Sequence, residues 1–376
     1  MENNLTFHIL FASRLVEEKW VDILIECIER YQSISEHTLV WHICSNGLYQ
    51  DQIIALQQKY IENVIYHGFV SPTGLAVLYR QADILLMPSR FLETFGLTAL
   101  EALASGTRVV GFQKWGLIPF IPDTLALDRD HPVESLSHIL DSLIHQKKTA
   151  KVDLTPYMPS TWEEHFVRLF PRKKSITLIH DYQDIIWGAE MYVESVIKHA
   201  NLWGYEISRF SYREKTTPWR RRIIFALSIL AFWRFFQVGY LLLRQKPDII
   251  WMHSVLRYIG IWWIAAIVIY ARMYNTKLYL SHHDVGLLAP FPQAITSESL
   301  IPKNRSLRAF IVHVVGYKKA IASIKWLYVR LLTALLPRKT EHIIFAPFLE
   351  RHIGHHFPWA KVRIFPHTYD KSIYHP

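Results

Sequence analysis

Apolar and polar positions alternate between two periods along the first 120 residues. "FHILFAS" (7–13) is a short apolar run that stops at small residues, which predicts a strand. "VDILIECIERY" follows with Val21, Leu24, Ile25 and Ile28 at helical spacing. The same alternation continues through "HTLVWHIC" (strand), "LYQDQIIALQQKY" (helix) and "VIYHGFV" (strand). "SPTGLAVLYRQA" predicts a helix capped by Ser71 with Pro72 at its first position. "DILLMPS" and "TRVVGF" predict strands, and "LTALEALASG" a helix ended by Gly106. Strands alternating with helices at this spacing predict a parallel, doubly wound α/β sheet.

The back half repeats the pattern. "SITLIHD" (175–181), "DIIWMHS" (248–254), "KLYLSHHD" (277–284), "HIIFAPF" and "KVRIFPH" predict strands, and a helix is expected from Glu190 to His199 after a turn holding Gly188. One helix and a basic turn, "MPSTWEEHFVRLFPRKK" (158–174), separate the halves. The expected organisation is a first domain over 1–150, a connecting helix and linker over 151–174, and a second domain over 175–376. Two such sheets facing each other make a cleft at the carboxyl ends of their strands, where ligands bind.

Composition narrows the class. The 376 residues are 51% hydrophobic and 20% charged, which suits a globular chain and excludes low-complexity or collagen-like readings. The two cysteines, Cys27 and Cys44, form no CxxC pair, so neither a disulfide framework nor a zinc site is expected. The start, "MENNLTFHIL", lacks a basic segment and a long apolar core, so no signal peptide is expected there. "IIFALSILAFW" (223–233) and "YIGIWWIAAIVIYA" (258–271) are shorter than the roughly 20 apolar residues of a spanning helix and read as buried or interfacial. A cytoplasmic protein, peripheral at most on the cytoplasmic face of a membrane, is expected.

Charge is divided unevenly. Residues 1–150 hold 11 Lys and Arg against 17 Asp and Glu, a net of −6, and the remainder holds 31 against 15, a net of +16. A basic half suits phosphates, an anionic membrane face or nucleic acid. The stretches 212–236 and 304–339 set cations among aromatic and aliphatic residues, which fits an anionic membrane surface as well as core helices with solvated faces. No RNP, helix-turn-helix or zinc pattern accompanies the charge, so no nucleic-acid partner is expected.

Candidate chemistry concentrates in "ETFGLTALEALASG" (93–106). Glu93 lies in a turn, and Phe95 and Gly96 follow it. The free N–H groups of Gly96, Leu97 and Thr98 at the helix start can hold a phosphate. Glu101 can accept both hydroxyls of a ribose, and Glu93 can accept hydroxyls of a sugar. Arg14 and Lys19, at another strand end, supply two cations for a diphosphate. An ordinary helix start with dipole-favoured acids, and a solvated turn pairing Lys19 with Glu17 or Glu18, are the bland readings of the same residues.

"ASRLVEEKWVDILIECIE", "HGFVSPTGLAVLYRQAD" and "ADILLMPSRFLETFGLTALEALASGTRVVGF" resemble the donor-binding domain of retaining glycosyltransferase family 4, of the two-domain GT-B fold. Glu93 and Glu101 match its E-x7-E motif, and Arg14 and Lys19 its phosphate-binding pair. The resemblance implies a nucleotide-sugar donor, with Glu101 on the ribose, Glu93 on the transferred sugar, and Arg14 and Lys19 on the diphosphate. Trp20 stands where the family has Gly, and His367 and Thr368 stand where it has Asn-Gly. "SITLIHDYQDIIWGAEMYVESVIKHANLWGYEIS" resembles the start of the family's acceptor domain, with Gly188 and Ala189 in its first loop. His283, followed by Asp284, matches the family's "HD", for which a role near the reacting sugar is implied; His253 ends the preceding strand.

The family places its acceptor domain first. Here the donor-like domain comes first, so the chain resembles a circularly permuted member of the family, with "STWEEHFVRLF" as the covalent link. The implied activity is transfer of a hexose, with retention and without a metal or other cofactor, to a glycan, polysaccharide or lipid-linked acceptor, as in cell-surface polysaccharide biosynthesis. A catalytically silent scaffold at a membrane and a sugar-nucleotide epimerase are the alternatives.

Overall fold

A buried apolar stripe fixes the first helix to its sheet. In the computed structural model, Val21, Leu24 and Ile28 of the first helix are fully buried at the spacing that puts them on one side. The structure describes residues 6–34, 38–144, 146, 152–170, 174–180, 188–211, 232–253, 261–283, 288–289, 301–302, 306–311, 313–314 and 318–376. Asp284, most of the basic stretch 212–236 and of the apolar stretch 223–233, and parts of 304–339 lie outside the described residues.

Two compact units emerge. The first is Met1–Thr161 together with His367–Pro376, and the second is Trp162–Pro366. The first unit runs β1 (Thr6–Ala12), α1 (Val21–Ile34), β2 (Thr38–Cys44), α2 (Gln50–Lys59), β3 (Val64–Gly68), α3 (Pro72–Gln81), β4 (Ile84–Met87), α4 (Leu97–Ala104), β5 (Arg108–Gly111) and α5 (Pro132–Ile144). All five strands are parallel, in the order β3-β2-β1-β4-β5. The residues of β2, β4 and β5 are buried on both faces, as a sheet covered by helices on each side requires, while the edge strand β3 is only partly buried. Ser71 caps α3 as expected: its Oγ accepts from the Gly74 N–H at 3.2 Å, with Pro72 in the first turn.

The second unit opens with α6 (Pro159–Leu169), most of which lies inside it, and continues with β6 (Ser175–His180), α7 (Gly188–Leu202), β7 (Glu206–Ser211), α8 (Trp233–Gln245), β8 (Ile249–His253), α9 (Ile261–Tyr274) and β9 (Lys277–His282). It ends with α10 (Leu307–Ile311), α11 (Lys318–Leu335), β10 (Glu341–Ile344), α12 (Phe348–His356) and β11 (Lys361–Ile364). The six strands are parallel, in the order β11-β10-β9-β8-β6-β7. β7 is the edge strand the sequence pattern does not announce, because its residues are only half-buried and alternate weakly.

Aromatic packing ties α6 to the second sheet. Trp162 stacks on Phe365 at 5.0 Å, donates from Nε1 to the Pro366 carbonyl at 2.9 Å, and lies beside the fully buried Phe166. The apolar stretch ending at Ala271 is the buried helix α9, whose Trp263, Ile264 and Ile267 join Val238 and Leu242 of α8 in the core. Among the described residues no helix is long and apolar enough to cross a membrane.

Candidate functional site

The strand order of the first sheet reverses direction between β1 and β4. Ligands of open parallel sheets bind beyond the carboxyl ends of strands at such a switch point. The loops that leave β1 and β4 there carry the candidate residues: Arg14 and Lys19 on one, Glu93, Phe95 and Gly96 on the other. The Arg90 and Phe91 N–H groups both donate to the Glu18 carbonyl, at 2.9 and 3.2 Å, so the two loops are locked together.

Lys19 and Glu93 meet. The Lys19 ammonium bonds Glu93 Oε1, and Ser89 Oγ donates to the same oxygen at 3.1 Å. Lys19 therefore pairs with Glu93 and not with Glu17 or Glu18. Its ammonium also lies 5.6 Å from the centre of the Phe91 ring. Arg14 sits half-buried after β1 and has interactions of its own.

α4 starts at the same place. Gly96 precedes it with φ 91°, a left-handed conformation, and a Cβ there would lie 2.4 Å from Leu117 Cδ2. The N–H groups of Leu97 and Thr98, in the first turn, have no carbonyl to bond inside the helix. Phe95 is buried against Phe120 (5.4 Å), Tyr157 (5.7 Å) and His367 (4.6 Å).

Glu101 is enclosed more fully than the expected ribose contact suggests, at 7% exposed. Burial pushes its carboxyl up to about 7, against the opposing effect of hydrogen bonds from Tyr374 and Tyr79. Tyr374 comes from residues 367–376, which run along α4. His367 packs on Phe95, the Ile373 carbonyl accepts from Arg80 at 3.4 Å, and Pro376 lies against Gly106.

Trp20, where a glycine was expected, adopts φ 53° and ψ 47°. A left-handed turn is required there, and this chain meets it with a strained Trp that packs instead of a free glycine. The ring meets Phe112 edge-on at 4.5 Å and carries the Arg90 guanidinium on its face at 4.5 Å. His367 and Thr368 likewise replace a flexible pair with fixed contacts. His367 is buried, and burial pushes its imidazole down to about 3; Thr368 Oγ1 donates to the Tyr157 carbonyl at 2.8 Å.

No sequence pattern points to Lys114. Burial lowers its ammonium to about 8, with Arg129 and Arg90 adding to the effect and Glu93 opposing it. It stands over the Trp115 ring at 4.3 Å, and the Gly116 N–H donates to the Glu93 carbonyl at 2.9 Å. A single lysine after a strand carries no motif; only the folded loop brings it beside Glu93.

In the second unit the direction changes between β6 and β8. Gly188 and Ala189 open α7 just beyond β6. His180 and His253 end β6 and β8 in register with each other, and His283 follows β9. His253 Nδ1 and His283 Nε2 are 2.9 Å apart, a hydrogen bond. Tyr192 (5.4 Å) and Phe345 (4.5 Å) flank the His283 ring. Cys27 and Cys44 are free and buried, which raises both thiols to about 12. Among the described residues no group of three His, Cys, Asp or Glu could hold a metal ion.

Known proteins resemble the first unit. The family described as Glycosyl transferases group 1 matches residues 3–152. An uncharacterized glycosyltransferase of Methanocaldococcus jannaschii is 34% identical over 115 residues, 30% of this chain and 29% of its own. A D-inositol 3-phosphate glycosyltransferase of Pseudarthrobacter chlorophenolicus is 33% identical over 117 residues, 30% of this chain and 28% of its own. The chain thus spans about three-tenths of the length of these curated relatives. Among solved structures, the pneumococcal O-GlcNAc transferase bound to UDP and GlcNAc aligns at TM-score 0.30 and 25% identity, over 37% of this chain and 28% of that one. The group 1 match and the two parallel α/β sheets place the fold in the GT-B class.

Proposed function

We propose that this protein is a retaining glycosyltransferase of the family 4 type, moving a hexose from a nucleotide-diphosphate sugar to a glycan or lipid-linked acceptor. One observation carries the reading: within the segment that matches group 1, the cationic β1 loop and the Glu93–Gly96 loop meet at the switch point of the sheet. Negative charge develops on the diphosphate as it leaves. Arg14, Lys19, Lys114 and the N–H groups of the α4 start are the groups assigned to stabilise it. Cations in those positions supply the charge that a metal otherwise would, so we assign no metal or other cofactor.

Glu93 takes the hydroxyls of the transferred sugar. A donor there competes with Lys19 and Ser89 for the carboxylate, and its phosphate gives Lys19 a new partner. Glu101 takes the ribose. His283 acts in the transfer step, and the Gly188–Ala189 loop holds phosphate or acceptor.

The permuted order is part of the proposal. Residues 367–376 pack within the first unit, and α6 packs within the second from Trp162 onward, which suits a chain whose family linker comes last. An anionic membrane surface is the proposed partner of the second unit. α8 exposes Trp233, Phe236 and Tyr240 at one-face spacing beside exposed Arg244, and α11 exposes Ile324, Leu327 and Leu331 beside exposed Arg330. Sedimentation with phosphatidylglycerol vesicles tests it: binding that survives 0.5 M salt unchanged, or equal binding to phosphatidylcholine, argues against charge as the attraction.

The central experiment is calorimetry with UDP- and GDP-sugars, joined to a screen for sugar release. Binding of one nucleotide and slow donor hydrolysis are expected. An Arg14→Ala variant with normal affinity and turnover would remove the diphosphate role from Arg14.

A further inference from the structure

We propose that Trp20 is a positioning residue for Lys19: its clamped ring fixes the turn that carries the ammonium, so Lys19 is in place before a diphosphate arrives. The inference deepens the donor-site reading of the first unit and rests on it. It begins with the strained backbone at the base of that turn.

Residues 17–19 form one tight turn, closed by the Lys19 N–H on the Val16 carbonyl (3.0 Å) and the Trp20 N–H on the Glu17 carbonyl (2.9 Å). On its other side the Trp20 carbonyl accepts from the Leu24 N–H at 3.1 Å, which starts α1. Trp20 is therefore the joint between turn and helix. Its φ of 53° and ψ of 47° set the angle at which the turn leaves. A bulky L residue rarely adopts this left-handed conformation. A glycine adopts it without strain but also leaves it freely. A tryptophan stays there only where its surroundings hold it.

The ring supplies the hold. Phe112, just past β5, meets it edge-on, and the Arg90 guanidinium, beyond β4, lies over its face. Arg90 is itself fixed: its Nη2 donates to Asp22 Oδ2 at 3.1 Å and its backbone N–H to the Glu18 carbonyl. Loops from two other strands thus close on the loop after β1. Trp20 Nε1 is buried and has no hydrogen-bond partner among the described residues, so the ring acts through packing and its charged neighbour. One residue back, the Lys19 side chain is 13% exposed, with its ammonium on Glu93. A cation that is already ordered loses less conformational freedom when a ligand binds than one on a loose turn.

Two measurements test this, beside thermal unfolding to show that each variant is folded. Trp20→Gly removes the ring and tolerates the backbone angles; Trp20→Phe keeps a ring; Arg90→Gln loosens the clamp and leaves residue 20 in place. The first measurement is reductive methylation of lysines mapped by mass spectrometry, with Lys59 as internal reference. The rate at Lys19 is expected to rise about threefold or more in Trp20→Gly, to rise in Arg90→Gln, and to stay near wild type in Trp20→Phe. The second is calorimetry with UDP and GDP. Trp20→Gly should weaken binding about fivefold, but less than twofold in a Lys19→Ala background, where the residue it positions is gone. An unmoved Lys19 rate in Trp20→Gly and Arg90→Gln overturns the inference, and Arg90→Gln alone decides if the glycine variant does not fold. So does an equal loss of affinity with and without Lys19, or a loss in Trp20→Phe as large as in Trp20→Gly. If the wild-type protein binds neither nucleotide, the donor reading fails, while the labelling still decides whether Trp20 holds Lys19.

Discussion

The Lys19 ammonium bonds the Glu93 carboxylate across the switch point of the first sheet, joining the loop after β1 to the loop after β4. Each of the two is thus held where the proposed donor needs it, and each changes partner when the donor arrives. Glu93→Gln keeps the size of the side chain and removes its charge. It should lower kcat roughly 100-fold or more while changing nucleotide affinity little. Lys19→Ala should instead weaken nucleotide binding by roughly tenfold or more, because a diphosphate contact is lost. Equal effects of both variants on kcat and affinity, measured by steady-state kinetics and calorimetry, would contradict this division of labour.

Nucleotide affinity should follow a bell with its maximum between about pH 7 and about pH 8. The Glu101 carboxyl titrates near 7 and accepts from a ribose best when ionised, so affinity rises with pH through that value. Lys114 loses its charge near 8, so affinity falls above it. Lys114→Met should flatten the upper limb. Tyr374→Phe removes a hydrogen bond that favours the charged carboxylate, so the lower limb should move to higher pH. Calorimetric titration with UDP and GDP from pH 6 to pH 9 reads both shifts.

Gly96→Ala should damage fold and site together. The position has φ 91°, and the new methyl would overlap Leu117 Cδ2. A loss of about 1–3 kcal/mol is expected, with a lower Tm and weaker nucleotide binding, since the α4 start must shift. Thermal unfolding beside calorimetry separates the two effects. A variant with native Tm and native affinity would show that the backbone there is not constrained.

Mild acid should destabilise the protein. Burial holds His42 and His342 down to about 4 and His367 down to about 3, against an unfolded value near 6.5. In that window the unfolded chain binds more protons, so stability falls as pH drops below about 6.5 and continues to fall to about 4. Glu101 acts in the opposite sense: its raised pKa adds stability as pH falls from 7 toward 4.5, but it is one group against three. Tm is expected to decline by several degrees between pH 7 and pH 5. His367→Asn should lessen the slope, and an unchanged slope would place the proton uptake elsewhere.

Much of the first unit was legible because local rules decide it. Val21, Leu24 and Ile28 announce α1 by spacing, and Ser71-Pro72 announces the start of α3 by capping chemistry. The left-handed turn at residue 20 was legible only as a missing glycine. That a Trp adopts it, held by Phe112 and Arg90, depends on residues some 70 and 90 positions away. β7 escaped the pattern because an edge strand with half-buried faces has no strong alternation.

The sequence by itself determined the strand–helix alternation, the acidic and basic halves, and the residue types at Arg14, Lys19, Glu93, Gly96 and Glu101. These depend on local propensity, hydrophobic period and composition, which act over a few residues. Tertiary structure decided the rest. It paired Lys19 with Glu93, brought Lys114 beside them, laid residues 367–376 along α4 so that Tyr374 reaches Glu101, and joined His253 to His283. Those contacts bridge separations of about 20 to more than 270 residues. They arise when parallel strands with short ends bring distant loops to one edge of a sheet, and no local pattern encodes that meeting.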